Sequence, residues 1–336
     1  MKKRLLAVKV FGLTAGISLL VYVLRQIDVE VLADAYTGVP LWGWTVLAFY
    51  PLIAVWDLRG WIHAFPDSAR HRLHLFKLFW IRLSGDSINN VTPLADIGGE
   101  FLKVHLASGH FGIPRRQAVS AVLADRTTLM SSEILFWIIG LLTYGTLYPD
   151  STLTQRGWIV AAIFIVLIVV VIWLQRGGAL KSVAAFLTKR AKGTNHDLMH
   201  RMSAGLDDIH VDMDKFYSFR NLRWWGCLFW HEMGWLMGSV ETYFMLRLLG
   251  VEVSFVHAVV LEACVQWVRT ASFFIPGNLG AQEGFLALCL REFGQDAALG
   301  VGLSFFKRMR QGLWTLCGFA AGWYLFRTLP KETNER

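Results

Sequence analysis

The chain has 336 residues, 54% of them hydrophobic and only 17% charged, and its mean hydropathy is +0.43. That balance lies outside the range of ordinary soluble domains and predicts an all-α polytopic membrane protein forming a single integral membrane domain over residues 1–336. The formal net charge of +8 does not point to nucleic acid, because Lys and Arg segregate by loop instead of gathering into a patch.

About 20 apolar residues cross a hydrocarbon core. The first such run, Leu5–Leu24, follows Met1-Lys2-Lys3-Arg4 and begins like a signal peptide. It is long for that role and no small-residue cleavage site follows, so it reads as a retained helix. Further spans are predicted near Pro40–Trp56, Ala118–Leu142, Trp158–Leu174, Trp224–Leu249 and Leu299–Phe326, six in all. Between the second and third, His74–Leu106 is interrupted by Arg82, Asp86, Asn89, Asn90, Asp96, Glu100 and Lys103. A charge at mid-bilayer costs roughly 2.5–3.5 kcal/mol even on a lenient scale. The apolar pieces Leu75–Leu83 and Phe101–Leu106 are half the length of a span, so residues 74–107 are predicted as a re-entrant hairpin of two half-helices. The more apolar Phe255–Phe293 is predicted as a second hairpin, or as two full spans without change to the later topology.

Twenty Lys and Arg fall in Met1–Arg4, Leu58–Leu73, Ser108–Gln117, Gln175–Arg223 and Arg327–Arg336, against two around Arg25 and Arg156. This positive-inside bias places both termini in the cytoplasm. The loop Gln175–Arg223, with Lys189-Arg190-Ala191-Lys192, either only fixes topology or also rests on anionic headgroups. Following the parity of crossings, the two hairpins open to opposite sides. Residues 74–143 and 255–326 then form the halves of an inverted repeat.

Within the hairpins two strings look alike: Pro93-Leu94-Ala95-Asp96-Ile97-Gly98-Gly99-Glu100 and Pro276-Gly277-Asn278-Leu279-Gly280-Ala281-Gln282-Glu283. Asp125-Arg126 begins 25 residues after Glu100, and Arg308 lies 25 residues after Glu283. Broken helices at bilayer depth are tolerated where backbone lines a cavity, and a pair of them in corresponding halves points to a transporter-like site. A helix that starts there aims unpaired N–H groups and a positive dipole end at an anion such as phosphate. Gly98, Gly99, Gly277 and Gly280 would let backbone approach a headgroup; read plainly, they serve a turn and close packing, with Glu100 and Glu283 offsetting the dipole.

Polar residues also share helix faces: Glu262, Gln266 and Arg269; Arg308, Gln311 and Thr315; Arg126 and Glu133. Intramembrane arginine avoids lipid, so these groups either bind an anionic ligand through the planar guanidinium fork or hold the bundle together as static pairs. The candidate substrate-binding set is therefore Asn90, Pro93, Gly98, Gly99, Glu100, Arg126, Glu262, Gln266, Arg269, Pro276, Gly277, Gly280, Gln282, Glu283 and Arg308. His231-Glu232 offers a titratable pair but lacks a second histidine at zinc-protease spacing, so it reads chiefly as a satisfied structural histidine. Asp207-Asp208 to Asp212 reads as the solvated face of an amphipathic helix. The four cysteines lie singly in apolar segments and read as small hydrophobes, and most of the fifteen tryptophans read as an interfacial belt. No catalytic residue, metal site or cofactor is expected.

Several strings together resemble a known family: Gly85-Asp86-Ser87-Ile88-Asn89-Asn90 with Pro93 and Gly98-Gly99-Glu100; His231 with Gly234-Trp235; Arg269 with Phe274-Ile275-Pro276-Gly277 and Leu279-Gly280-Ala281-Gln282-Glu283-Gly284; and Lys307-Arg308-Met309-Arg310. They resemble the flippase-like membrane proteins related to the transmembrane region of lysylphosphatidylglycerol synthase, and within them the branch associated with hopanoid biosynthesis. The resemblance runs from about Leu41 to Trp323. It implies a multi-pass protein of the bacterial inner membrane that moves or delivers a polar-headed lipid. It also implies membrane lipids, and lipid-biosynthesis enzymes, as partners, with no aminoacyl transfer by this chain. Glu232 beside His231 and Asn278 in the second loop depart from the branch and bear on substrate identity. The expected function is a lipid flippase or transporter without an ATP-binding domain. A membrane-embedded lipid-modifying enzyme and an accessory subunit of a lipid-synthesis complex remain the alternatives.

Overall fold

The computed structural model describes residues 14, 18–25, 28–92, 98–149, 151–176, 209, 211–218, 221–272 and 275–330. Among them the chain is helical, with no strand. After a helical stretch at residues 18–24 come α1 (Val29–Thr37), a 3-10 segment (Leu41–Phe49) that runs into α2 (Tyr50–Ala64), and the short α3 (Asp67–Arg70). Then follow α4 (Leu75–Val91), α5 (Gly98–Phe111), α6 (Arg115–Leu147), α7 (Thr152–Arg176), α8 (Leu222–Leu248), α9 (Phe255–Ala271), a 3-10 turn (Pro276–Asn278), α10 (Ala281–Glu292) and α11 (Ala297–Arg327).

Side-chain caps start several helices. The carboxylate of Asp28 accepts from Glu30 N–H, Asn221 from Arg223 N–H, and Asp296 from Ala298 N–H at 2.7 Å. The 3-10 segment gives way to α2 around Pro51, which has no N–H to offer the Leu47 carbonyl four residues back. Trp314 of α11 fills that gap, its Nε1–H donating to Leu47 O at 2.8 Å.

Three stretches are long and apolar enough to cross a membrane: Leu41–Ala64, Arg115–Leu147 and Gly157–Leu174. They cover the predicted spans Pro40–Trp56, Ala118–Leu142 and Trp158–Leu174. The predicted spans Trp224–Leu249 and Leu299–Phe326 appear as α8 and α11, of 27 and 31 residues. At a rise of 1.5 Å per residue each exceeds 30 Å in length, although glycine, tryptophan and polar side chains make them less apolar than the three stretches above. Of the predicted first span Leu5–Leu24, and of the loop Gln175–Arg223, most residues lie outside those described. Where the loop is described, Met213, Phe216 and Tyr217 are buried among residues of α2, α4, α5 and α6, and Ser120 Oγ donates to Asp212. The bundle presents apolar side chains outward on α7 and α11, among them Ile163, Val166, Trp173, Leu316 and Phe326; an apolar exterior of that extent suits lipid.

The two predicted hairpin segments become the helix pairs α4–α5 and α9–α10. α4 packs on α11 and α9 packs on α6, while α2 lies along α8. One core gathers α2, α4, α5 and α6; another gathers the ends of α1 and α8 with α9, α10 and α11. The four cysteines are free, with Cys264 and Cys289 meeting where α9 packs on α10.

Candidate functional site

Helices α4 and α9 are both 17 residues long, and corresponding positions make corresponding contacts. Arg82, eighth in α4, pairs with Asp125, eleventh in α6, at 3.4 Å. Glu262, eighth in α9, pairs with Lys307, eleventh in α11, at 2.6 Å. The sign of the pair is reversed between the halves. Further along, Asn90, sixteenth in α4, donates to Thr315 Oγ1, nineteenth in α11, at 2.9 Å. Thr270, sixteenth in α9, donates to Glu133, nineteenth in α6, at 2.7 Å. Gln311 also donates to Asn90 Oδ1, so Asn90 is bound into the α4–α11 crossing.

The starts of α5 and α10 are also alike, each carrying a glutamate as its third residue. In α5, Asn89 Oδ1 accepts from Gly99 N–H at 2.6 Å, Asn89 Nδ2 donates to Glu100, and Lys103 Nζ pairs with Glu100 at 3.0 Å. Gly99 lies against the backbone carbonyl of Gly85, where any Cβ would collide. In α10, Glu283 Oε2 accepts from Gly280 N–H at 2.8 Å and Ser304 Oγ donates to Oε1, with Gln282 donating in turn to Ser304. Two of the helix-start amides expected to face a headgroup, those of Gly99 and Gly280, thus have acceptors within the chain. The 3-10 turn needs left-handed backbone at Gly277, Asn278 and Gly280, with φ of 63°, 52° and 77°. Gly280 meets the backbone of Leu19 and Leu20, so the N-terminal helix takes the approach its missing Cβ opens.

The predicted arginines have distinct roles. Arg308 is ion-paired to Glu283 and donates to the carbonyls of Gly277, at 2.8 Å, and Asn278. It clamps the second turn onto α11. Arg126 stands close enough to Asp86 for their charges to interact. Arg269 is half-buried at the C-terminal end of α9, and among the described residues its guanidinium has no ion pair or hydrogen bond. Gln266 donates to Glu262 Oε1, and Thr242 donates to Glu262 Oε2. The tip of the first hairpin, Pro93–Ile97, lies outside the described residues; α4 touches the turn Pro276–Asn278. The side chain of Pro276 is likewise outside them.

The fold also assembles a cluster that no local pattern announces. His231, fully buried in α8, lies between Asp57 of α2 and Asp125 of α6, at 2.9 and 3.0 Å. Arg82 is 3.4–3.7 Å from Asp125, Asp57 and Asp86, and Lys103 is 2.7 Å from Asp86. In the sequence Arg82, Asp86 and Lys103 stand as interruptions of an apolar run, and the fold makes them partners for one another. Asp125, Cys227 and His231 also bring one oxygen, one sulfur and one nitrogen within 4.8 Å of one another. In this structure His231 Nε2 is within hydrogen-bond distance of Asp125 Oδ1, at 3.0 Å, and Arg82 holds the second Asp125 oxygen. The arrangement is a hydrogen-bonded charge cluster.

No solved structure matches the chain. Over 248 residues it is 24% identical to a UPF0104 membrane protein of Methanothermobacter thermautotrophicus, covering 70% of each chain. Residues 6–318 match the family described as the lysylphosphatidylglycerol synthase TM region. With the apolar exterior and the buried ion pairs of the helix bundle, that match across nearly the whole length places this membrane protein in the lysylphosphatidylglycerol synthase TM region family.

Proposed function

We propose that this chain is a lipid flippase or lipid transporter of the bacterial inner membrane, moving a polar-headed lipid between leaflets. The observation that carries the reading is Arg269: a half-buried guanidinium without a partner among the described residues, on the helix that leads into the Pro276–Asn278 turn, which in turn touches α4. An unpaired cation inside a lipid-embedded bundle is costly unless a ligand supplies the counter-charge. A phosphate-bearing headgroup does so, accepting two parallel hydrogen bonds from the guanidinium while its tails stay in lipid. In this reading Arg126 and Arg308 would be the further cationic contacts for the headgroup.

The proposed topology has six crossings and two re-entrant hairpins, both termini being cytoplasmic. Two packings related by the repeat would expose the Arg269 region to one leaflet and then the other. Membrane lipids are the proposed partners, and lipid-biosynthesis enzymes docking at the loop Gln175–Arg223 would deliver them. Polar-headed hopanoids form the second cargo class to be assayed.

The test is translocation of a fluorescent phosphatidylglycerol in vesicles carrying the purified protein, followed by chemical quenching of the outer leaflet. A charge-assisted hydrogen bond contributes about 1.5–3 kcal/mol, so Arg269→Ala should slow the initial rate roughly 10- to 100-fold. Arg269→Lys should retain part of the rate. Folding should be intact, with a melting temperature near that of the wild type. If Arg269→Ala combined with Glu283→Gln translocates lipid at the wild-type rate, the site is wrong. A change in the mass of any lipid during the assay would favour an enzyme instead.

A further inference from the structure

Both ring nitrogens of His231 lie within hydrogen-bond distance of a carboxylate: Nδ1 is 2.9 Å from Asp57 Oδ1 and Nε2 is 3.0 Å from Asp125 Oδ1. A neutral imidazole carries one N–H and one lone pair. Whichever tautomer it adopts, one of the two contacts would set a lone pair against an anionic oxygen. The arrangement closes only when one additional proton sits on the ring or on a carboxyl group. The surrounding charges agree. Asp57 from α2, Asp86 from α4, Glu100 from α5 and Asp125 from α6 face Arg82 from α4, Lys103 from α5 and Arg126 from α6, with the Cys227 thiol and the Glu232 carboxyl neighbouring His231 on α8.

We infer that Asp57, His231 and Asp125 form a proton-binding site whose occupancy is coupled to lipid movement. The binding half stands on the geometry alone; the coupling half rests on the transport reading above. Access runs through Asp57, whose side chain is 22% exposed while His231 is 0% and Asp125 8%. The proton moves from water to Asp57, to the ring and back by the same route, with no other bond made or broken.

Its consequences are mechanical. Helices α2 and α8 fit together around this site, since a Cβ on Gly60 would come within 2.8 Å of the His231 ring and one on Gly234 within 2.8 Å of Asp57 Oδ1. Losing the proton turns one of the two bonds into a repulsion, so either α2 or α6 loses its hold on α8. Arg82, shared among Asp57, Asp86 and Asp125, must then redistribute. The change passes by Asp86 and Lys103 to Glu100 in the first turn of α5, where the first hairpin turns.

Two measurements on the full chain test this. In nanodiscs, nitrogen-15 histidine spectra between pH 5.5 and 8.5 should contain one ring that exchanges a proton and is absent from His231→Gln. Asp57→Asn and Asp125→Asn should each displace its midpoint by about one pH unit, at 1.36 kcal/mol per unit. A His231 ring with the same protonation across the range, or one indifferent to both Asn variants, overturns the proton site whether or not lipid moves. In vesicles, a two-unit pH gradient should change the wild-type translocation rate at least five-fold, and Asp57→Asn should abolish that response. If wild type translocates lipid with no gradient effect while the ring titrates, coupling is overturned and binding stands. If no lipid moves in wild type, the transport reading fails and the spectra alone decide the site.

Discussion

Glu262→Met should lower stability by about 3–5 kcal/mol, and adding Lys307→Met in the same chain should recover at least about 2 kcal/mol of that loss. Glu262 and Lys307 are 2.6 Å apart and both nearly inaccessible. Removing the acid alone strands an ammonium in a medium that cannot solvate it, whereas removing both leaves two side chains that suit an apolar interior. Recovery will be incomplete because Thr242 and Gln266 each lose an acceptor on Glu262. Thermal unfolding of the wild type, both single variants and the double variant in the same detergent gives the full cycle. A double variant no more stable than Glu262→Met would mean that the pair is not coupled.

Gly318→Ala should cost about 1–3 kcal/mol, while Gly312→Ala, six residues earlier in α11, should be neutral or should stabilise by about 0.5–1 kcal/mol. A Cβ at Gly318 would overlap the Ser87 hydroxyl and come within 2.6 Å of the Leu83 carbonyl, so α4 would have to move. At Gly312 nothing lies within 4 Å, and alanine simply improves helix propensity. The α6–α9 crossing has a close approach of its own, Gly140 against Ala263 Cβ, where alanine should cost a similar amount. Equal melting temperatures for the two α11 variants would mean that the α4–α11 crossing is looser than described.

Much of the helix order was legible because hydrophobic length is a strong signal: the runs at Ala118–Leu142 and Trp158–Leu174 required only counting. The breaks were legible as well, since Pro276 and its neighbouring glycines cannot continue a helix and Gly277, Asn278 and Gly280 take left-handed backbone. What remained hidden was partnership. Periodicity put Glu262 and Gln266 on one face, but the cation that Glu262 meets, Lys307, comes 45 residues onward. Arg308, which the sequence leaves open as an anion binder or a static pair, is held by Glu283 and two carbonyls, whereas the Arg269 guanidinium has no ion pair or hydrogen bond among the described residues. Asp57 stands just past the predicted span Pro40–Trp56, and nothing local announces that His231 will face it across 174 positions. A charge in an apolar segment signals a partner, yet sequence gives no distance at which to look for it.

The reversed polarity of the two ion pairs also bears on assembly. In lipid, helices are all greasy outside, so grease cannot tell the chain which hairpin belongs in which cradle. Were α9 to settle where α4 belongs, in the same molecule or a neighbouring copy, Glu262 would confront Asp125; the opposite mistake would set Arg82 against Lys307. Each mistake buries like charges together and is rejected electrostatically. Two near-copies of one motif can therefore share a bilayer without exchanging places.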